Sequence, residues 1–183
     1  KMAQLVRACR GLHDLCVAYG TPLISGKDSM KNDSTMGGVK ISVPPTLLVS
    51  AIGRIDDVRD AVTLDLKSPG EVVFVVGATR DETGASEYFR YRGELDGFVQ
   101  APGEPCPYVG NKAPRIEPTE TLPLYRAFES AVREGLVTST AVPARGGLAA
   151  ALARMAMAGE LGLDLDLDRS PGADGLPPDV LLF

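Results

Sequence analysis

The chain has 183 residues, 44% of them hydrophobic and 23% charged, which suits one ordinary soluble domain or one domain with part of another. Nineteen Lys and Arg stand against twenty-four Asp and Glu, and the net charge of −5 argues against general affinity for nucleic acid or anionic membrane surfaces. No apolar run approaches the roughly 20 residues that span a bilayer, and no signal peptide opens the chain.

In chain order, the first predicted element is a helix over residues 3–19. Its apolar stripe runs through Leu5, Val6, Cys9, Leu12, Cys16 and Val17, and Gly20 ends it. Pro22 to Ser25 leads, extended, into a polar cluster, Gly26-Lys27-Asp28-Ser29-Met30-Lys31-Asn32. Residues 31–45, rich in Gly, Asn, Asp and Pro, read as a loop with a brief strand at Val39–Val43. Thr46 to Ile55 reads as a buried strand, and Asp56 and Asp57 as caps of a short turn at Val58–Ala61.

Ser68-Pro69-Gly70 is a turn signal, and the domain boundary is expected there, dividing the chain into 1–67 and 68–183. Glu71 to Gly77 holds the β-branched run Val-Val-Phe-Val-Val, expected as a central strand. Residues 79–91 read as a loop entering a helix, and 92–118 as a long irregular excursion. Thr121 to Glu134 reads as a helix with Leu124, Phe128, Ala131 and Val132 on one face. Gly146-Gly147 opens another, with the face Leu148, Leu152, Met155 and Ala156, ended by Gly159. Leu163 to Asp168 alternates as a half-exposed strand, and Val180-Leu181-Leu182-Phe183 reads as an unfinished buried strand. Strands alternating with helices imply an α/β or α+β fold. A first helix already in phase at Lys1 and an apolar run at Phe183 lead us to expect a piece of a longer polypeptide.

The cluster at Gly26–Ser29 carries the chemistry. Glycine lets backbone approach a ligand, ammonium and hydroxyl groups donate to phosphate oxygens, and a carboxylate can hold a metal. It is not a Walker P-loop: Thr21 stands where that pattern needs glycine, and Asp28 where it needs Ser or Thr. An exposed polar turn is the alternative.

Other constellations have structural readings. His13 and Cys16 share the first helix, and Cys16 belongs to its apolar stripe, so a Cys–His catalytic pair is set aside. Asp164, Asp166 and Asp168 suit the wet face of an edge strand, and Asp56, Asp57 and Asp60 suit a helix start. Gly146-Gly147 could turn backbone N–H groups toward an anion. The three cysteines, Cys9, Cys16 and Cys106, follow no metal-ligand spacing and fit a reducing cytoplasm.

The segments Pro22–Asn32, Gly38–Val49, Ala51-Ile52-Gly53, Asp56–Arg59, Lys67–Gly77, Ser86-Glu87-Tyr88 and Gly147–Gly159, in this order, resemble phosphoribosylformylglycinamidine synthase. The resemblance implies an aminoimidazole ribonucleotide synthetase-like fold. Residues 1–67 would end a first α/β lobe, and 68–183 would form most of a C-terminal lobe, truncated at its end. It also implies an ATP-dependent carbon–nitrogen ligase of purine biosynthesis with glutamine as amide donor. ATP or ADP and Mg²⁺ would serve the parent enzyme, though none is certain in this piece. Its partners would be the remaining synthetase lobes and a glutaminase domain or subunit, in the cytoplasm. The candidate nucleotide- or substrate-binding residues are Gly26, Lys27, Asp28, Ser29, Gly146 and Gly147, with Asp28 as a metal ligand and no catalytic residue in the piece itself.

The resemblance breaks at 141–147. The family reads His-Asp-x-Ser-Asp-Gly-Gly, whereas this chain reads Ala141-Val142-Pro143-Ala144-Arg145-Gly146-Gly147. Valine cannot ligate Mg²⁺ and alanine has no hydroxyl. A non-catalytic scaffold half with a degenerate nucleotide site is therefore the alternative reading.

Overall fold

The computed structural model describes residues 2–29, 33–42, 46–84, 86–97 and 112–183. It divides into two compact units, Lys1–Arg54 and Ile55–Phe183. Helices with a small sheet are consistent with the expected α/β class.

In the first unit, α1 spans Met2–Tyr19 and none of its residues is buried. Of its apolar stripe, Leu5, Leu12 and Cys16 are half-buried and Val6, Cys9 and Val17 are exposed among the described residues. Strands β1 (Ser34–Met36) and β2 (Val39–Ile41) pair antiparallel, with Met36 opposite Val39. The two-residue turn is Gly37-Gly38, both at positive φ (57° and 79°), the geometry that matches strand twist in tight hairpins. Only β2 was expected from the sequence. The Gly-Gly pair between β-compatible residues was the signal for its partner. Val43 lies outside the described residues.

Thr46–Ile55 does not form the expected buried strand: it has no regular structure, and Leu48 and Ile52 are 92% and 90% exposed. A strand is held by hydrogen bonds to a neighbour distant in sequence, and no strand ladder forms with this segment among the described residues.

In the second unit, Asp57 caps a one-turn 3₁₀ helix at Val58–Asp60, its carboxylate accepting from the Arg59 N–H at 2.9 Å. Helix α2 (Glu87–Leu95) starts at Ser86, whose Oγ accepts from the Phe89 N–H. It reaches further than the expected helix and takes in residues 92–95 of the stretch expected to be irregular; residues 98–111, Cys106 among them, lie outside the described residues. Helix α3 is Pro118–Arg133, with proline at its first position, where the missing N–H is not needed. Helix α4 is Gly147–Gly159, closed by Glu160 in the left-handed conformation (φ 53°).

Three strand expectations fail here. Residues 71–77 are not paired, and Phe74 is 79% exposed. Leu163–Asp168 gives way to a 3₁₀ turn at Leu167–Arg169, with the Asp166 carboxylate accepting from the Asp168 N–H. The last apolar run is helix α5 (Pro178–Leu182) rather than a strand. Proline at a helix start and local i→i−4 bonds favour the helix where no strand neighbour is present.

The core is small: Ala151, Leu152 and Met155 of α4, Leu181 of α5, and Ala173. Residues 61–67 pack beside α4. The Leu66 N–H donates to Met155 O at 3.3 Å and the Thr140 N–H to Thr63 O at 3.0 Å. A Cβ added at Gly159 would sit 2.6 Å from Leu66 N, so this close approach requires glycine.

Asp65 anchors that segment. Its carboxylate accepts from Lys67 Nζ at 2.7 Å and from Thr63 Oγ1 at 2.5 Å, while its carbonyl accepts from Ser139 Oγ at 2.7 Å. The Lys67 ammonium and then the Thr63 hydroxyl hold the carboxyl at about 2. A folded value below the unfolded one means the contribution is full above the unfolded pKa, about 3.9. It is lost as pH falls through about 2. In urea melts, wild type should exceed Asp65→Asn at neutral pH, and the gap should close between about pH 4 and pH 2. A pH-independent gap would show that Asp65 acts through packing alone.

Candidate functional site

The polar cluster lies in the first unit. Residues 21–29 have no regular structure and all are exposed. Lys27 Nζ donates to Ser29 Oγ at 2.8 Å and to Asp28 O at 3.1 Å. The ammonium therefore folds back over its own turn and holds the hydroxyl beside the positive charge. Two of the three donors of the ammonium are thereby engaged among the described residues. Met30, Lys31 and Asn32 lie outside the described residues.

Asp28 stands with no cluster around it. Among the described residues, no three His, Cys, Asp or Glu side chains gather to hold a metal ion. One carboxylate does suit Mg²⁺ of the kind held mainly by phosphates and water. Asp28 fits that role and no larger one.

The glycine pair belongs to the second unit. Both have positive φ, 84° at Gly146 and 62° at Gly147. The Gly147 N–H donates to Ala144 O at 2.9 Å, closing the turn before α4. A Cβ on Gly147 would lie 2.7 Å from Phe183 Cα and against Leu182 O. Gly147 thus lets α5 lie against the start of α4, and its amide already has a partner.

The fold brings further groups to this place. A cleft of about 300 Å³ is lined by Ser86, Glu87, Tyr88, Ala144, Arg145, Gly146, Gly147 and Phe183. Two of these lining residues, Arg145 and Glu87, form an ion pair, and Glu87 also lies 3.8 Å from Arg90. The Tyr88 and Phe183 rings stack, with centroids 5.6 Å apart and planes within 3°. The Tyr88 hydroxyl donates to the Asp179 carboxylate, a bond that raises the phenol pKa and lowers the carboxyl. Reading the chain alone did not single out Glu87, Tyr88, Arg145 or Phe183 as site residues. The Ser86 cap was a local signal for the α2 end of this cleft, but nothing local indicated that Phe183 would cover it.

The donor set of the cleft does not fit Mg²⁺. Val142 and Ala144 offer no oxygen side chain, and the one lining carboxylate, Glu87, is held by two guanidinium groups.

His13 Nδ1 sits 3.1 Å from Asp14 Oδ1, and Cys9 and Cys16 are free thiols. No helix among the described residues is long and apolar enough to cross a membrane.

A sequence profile of the family described as AIR synthase related protein, C-terminal domain, matches residues 68–183. The chain belongs to that family. This AIR synthase-related domain contains the cleft, α2, α3, α4 and α5. Curated relatives match nearly the whole chain. The phosphoribosylformylglycinamidine synthase subunit PurL of Deinococcus radiodurans is 34% identical over 98% of this chain and 23% of its own length. The subunit of the same name from Gloeobacter violaceus is 32% identical over 98% and 21%. That of Methanocaldococcus jannaschii is 29% identical over 98% and 23%. The chain thus spans under a quarter of the length of these relatives. No solved structure matches it significantly.

Proposed function

We propose that this chain is part of the synthetase region of a phosphoribosylformylglycinamidine synthase, acting in purine biosynthesis. Residues 1–67 end an N-terminal-type lobe and 68–183 form a C-terminal-type lobe. The observation that carries this reading is the likeness to PurL subunits along 98% of the chain, running through both Gly26–Ser29 and the α4 segment. The profile match beginning at residue 68 supports the division.

The reaction converts formylglycinamide ribonucleotide, glutamine and ATP to formylglycinamidine ribonucleotide, ADP, phosphate and glutamate. An amide oxygen is a poor leaving group, and ATP with Mg²⁺ supplies the phosphoryl group that makes it a good one. Within this chain, Lys27 neutralises phosphate, Ser29 donates to a ligand oxygen, and Gly26 lets backbone approach. Asp28 would offer its single carboxylate to Mg²⁺. Gly146 and Gly147 shape the floor of the cleft beside α4. The partners are the remaining synthetase lobes and a glutaminase domain or subunit, in the cytoplasm. The chain by itself is expected to be inactive.

Calorimetric titration with ADP and Mg²⁺ tests the binding roles. Lys27→Ala should raise Kd about tenfold, the scale of one charge-assisted contact. Asp28→Ala should weaken binding only when Mg²⁺ is present. Both residues are exposed, so circular dichroism should show unchanged folding. Unchanged affinity in both variants would leave the scaffold reading in its place.

A further inference from the structure

We propose that residues 61–67 are a releasable strap on the second unit, one that opens without the rest of that unit unfolding and, once open, lengthens the chain leading back to the first unit. The inference holds whichever reading of the function stands, because it concerns how this segment is fastened and not what the chain binds.

The strap lies upstream of the family domain, which begins at residue 68, yet it is bonded to that domain on two sides. On one side the Leu66 N–H donates to Met155 O, near the end of α4, at 3.3 Å. On the other, the Thr140 N–H donates to Thr63 O at 3.0 Å and Ser139 Oγ to Asp65 O at 2.7 Å. Lys67 Nζ bonds Thr63 Oγ1 and the Asp65 carboxylate, both at 2.7 Å, and so holds the segment bent between these fastenings.

Polar contacts fasten the strap, and apolar burial does not. None of residues 61–67 is buried, and Leu64 is 42% exposed. The buried apolar side chains of the unit belong to α4, α5 and Ala173. A segment with few buried apolar contacts opens more easily than the unit that carries it. Its release leaves that core in place. When extended, the freed segment spans up to about 23 Å.

The seat of the strap on α4 can be altered without straining the helix. Gly159 is the last residue of α4, and alanine is a better helix former than glycine. Its added Cβ would lie 2.6 Å from Leu66 N and 2.9 Å from Leu66 Cα, so Gly159→Ala pushes the strap off its seat.

Limited digestion of the full chain with trypsin, followed by mass spectrometry, tests the proposal. The Lys67–Ser68 bond reads the strap, and the Arg126–Ala127 bond inside α3 reads the unit. Cleavage tracks the population of the open form when reclosing is fast. In the wild type the cut after Lys67 should be roughly tenfold faster, or more, than the cut after Arg126. Ser139→Ala should speed the Lys67 cut about two- to tenfold, the scale of one lost hydrogen bond, and Gly159→Ala about tenfold or more. The rate at Arg126 should stay within about twofold in both variants. Equal rates at the two bonds in the wild type overturn the proposal, as does a Lys67 rate that neither variant moves. A parallel rise at both bonds overturns it too, since the strap would then open only with the unit.

Discussion

Gly147→Ala should lower the stability of the second unit by roughly 2–5 kcal/mol. A left-handed conformation costs a residue with a Cβ about 1–2 kcal/mol, and overpacking adds about 1–3. Both terms apply, because Gly147 has φ 62° and its added Cβ would lie 2.7 Å from Phe183 Cα. That contact is with backbone, which cannot swing aside as the end of a side chain can. With a urea m-value near 2 kcal/mol/M, a loss of about 3 kcal/mol moves the midpoint down by about 1.5 M. Gly135→Ala is the matched control: its φ is 70° but nothing lies within 4 Å of the added Cβ. It should carry the conformational cost alone. Equal losses in the two variants would show that the α4–α5 contact does not constrain Gly147.

Leu152→Ala is the second large effect, expected to cost about 2–5 kcal/mol. Leu152 is 7% exposed and shares the core with Ala151, Met155, Ala173 and Leu181. Removing its branched end takes apolar area out of a core with few other large members, and the gap is only partly refilled. Met157→Ala, on the exposed side of the same helix, should change stability by less than about 0.5 kcal/mol. Denaturant melts of both, followed by circular dichroism, check the contrast. Similar midpoints would mean that the buried face of α4 is not the centre of the core.

Among the described residues of the second unit, Leu152, Met155 and Leu181 are the large buried apolar side chains. Gly147 and Phe183 line the cleft directly, and Leu152 is a buried residue of α4. A destabilised α4–α5 contact should therefore loosen the Tyr88–Phe183 wall before it affects Lys27, which belongs to the other unit.

The helices were legible in the chain because their information is local. The stripe through Leu5, Cys9, Leu12 and Cys16 placed α1, and Leu124, Phe128, Ala131 and Val132 placed α3 to within a few residues. Ser86 and Asp57 supply caps a few residues from the amides they satisfy. Gly146-Gly147 and Gly159 bracket α4 by the same short-range chemistry. The strand expectations at 46–55, 71–77 and 163–168 rested on propensity and alternation. Those patterns state what a neighbouring strand would accept, not that a neighbour is there.

The candidate site divides in the same way. The residue types of Gly26-Lys27-Asp28-Ser29 and their family likeness were plain in the chain, because that chemistry is contiguous, and the Lys27–Ser29 bond spans two positions. The altered segment at 141–147 was equally plain, since the loss of an oxygen ligand is a property of residue type. Tertiary structure alone decided that Arg145 would meet Glu87, that Tyr88 would bond Asp179 and that Phe183 would stack over Tyr88. Those pairs are separated by 58 to 95 positions, as their numbers show. Nothing local to either partner encodes the meeting. The packing of α5 against α4 brings Asp179 and Phe183 to α2, and that packing depends on the absence of a Cβ at Gly147.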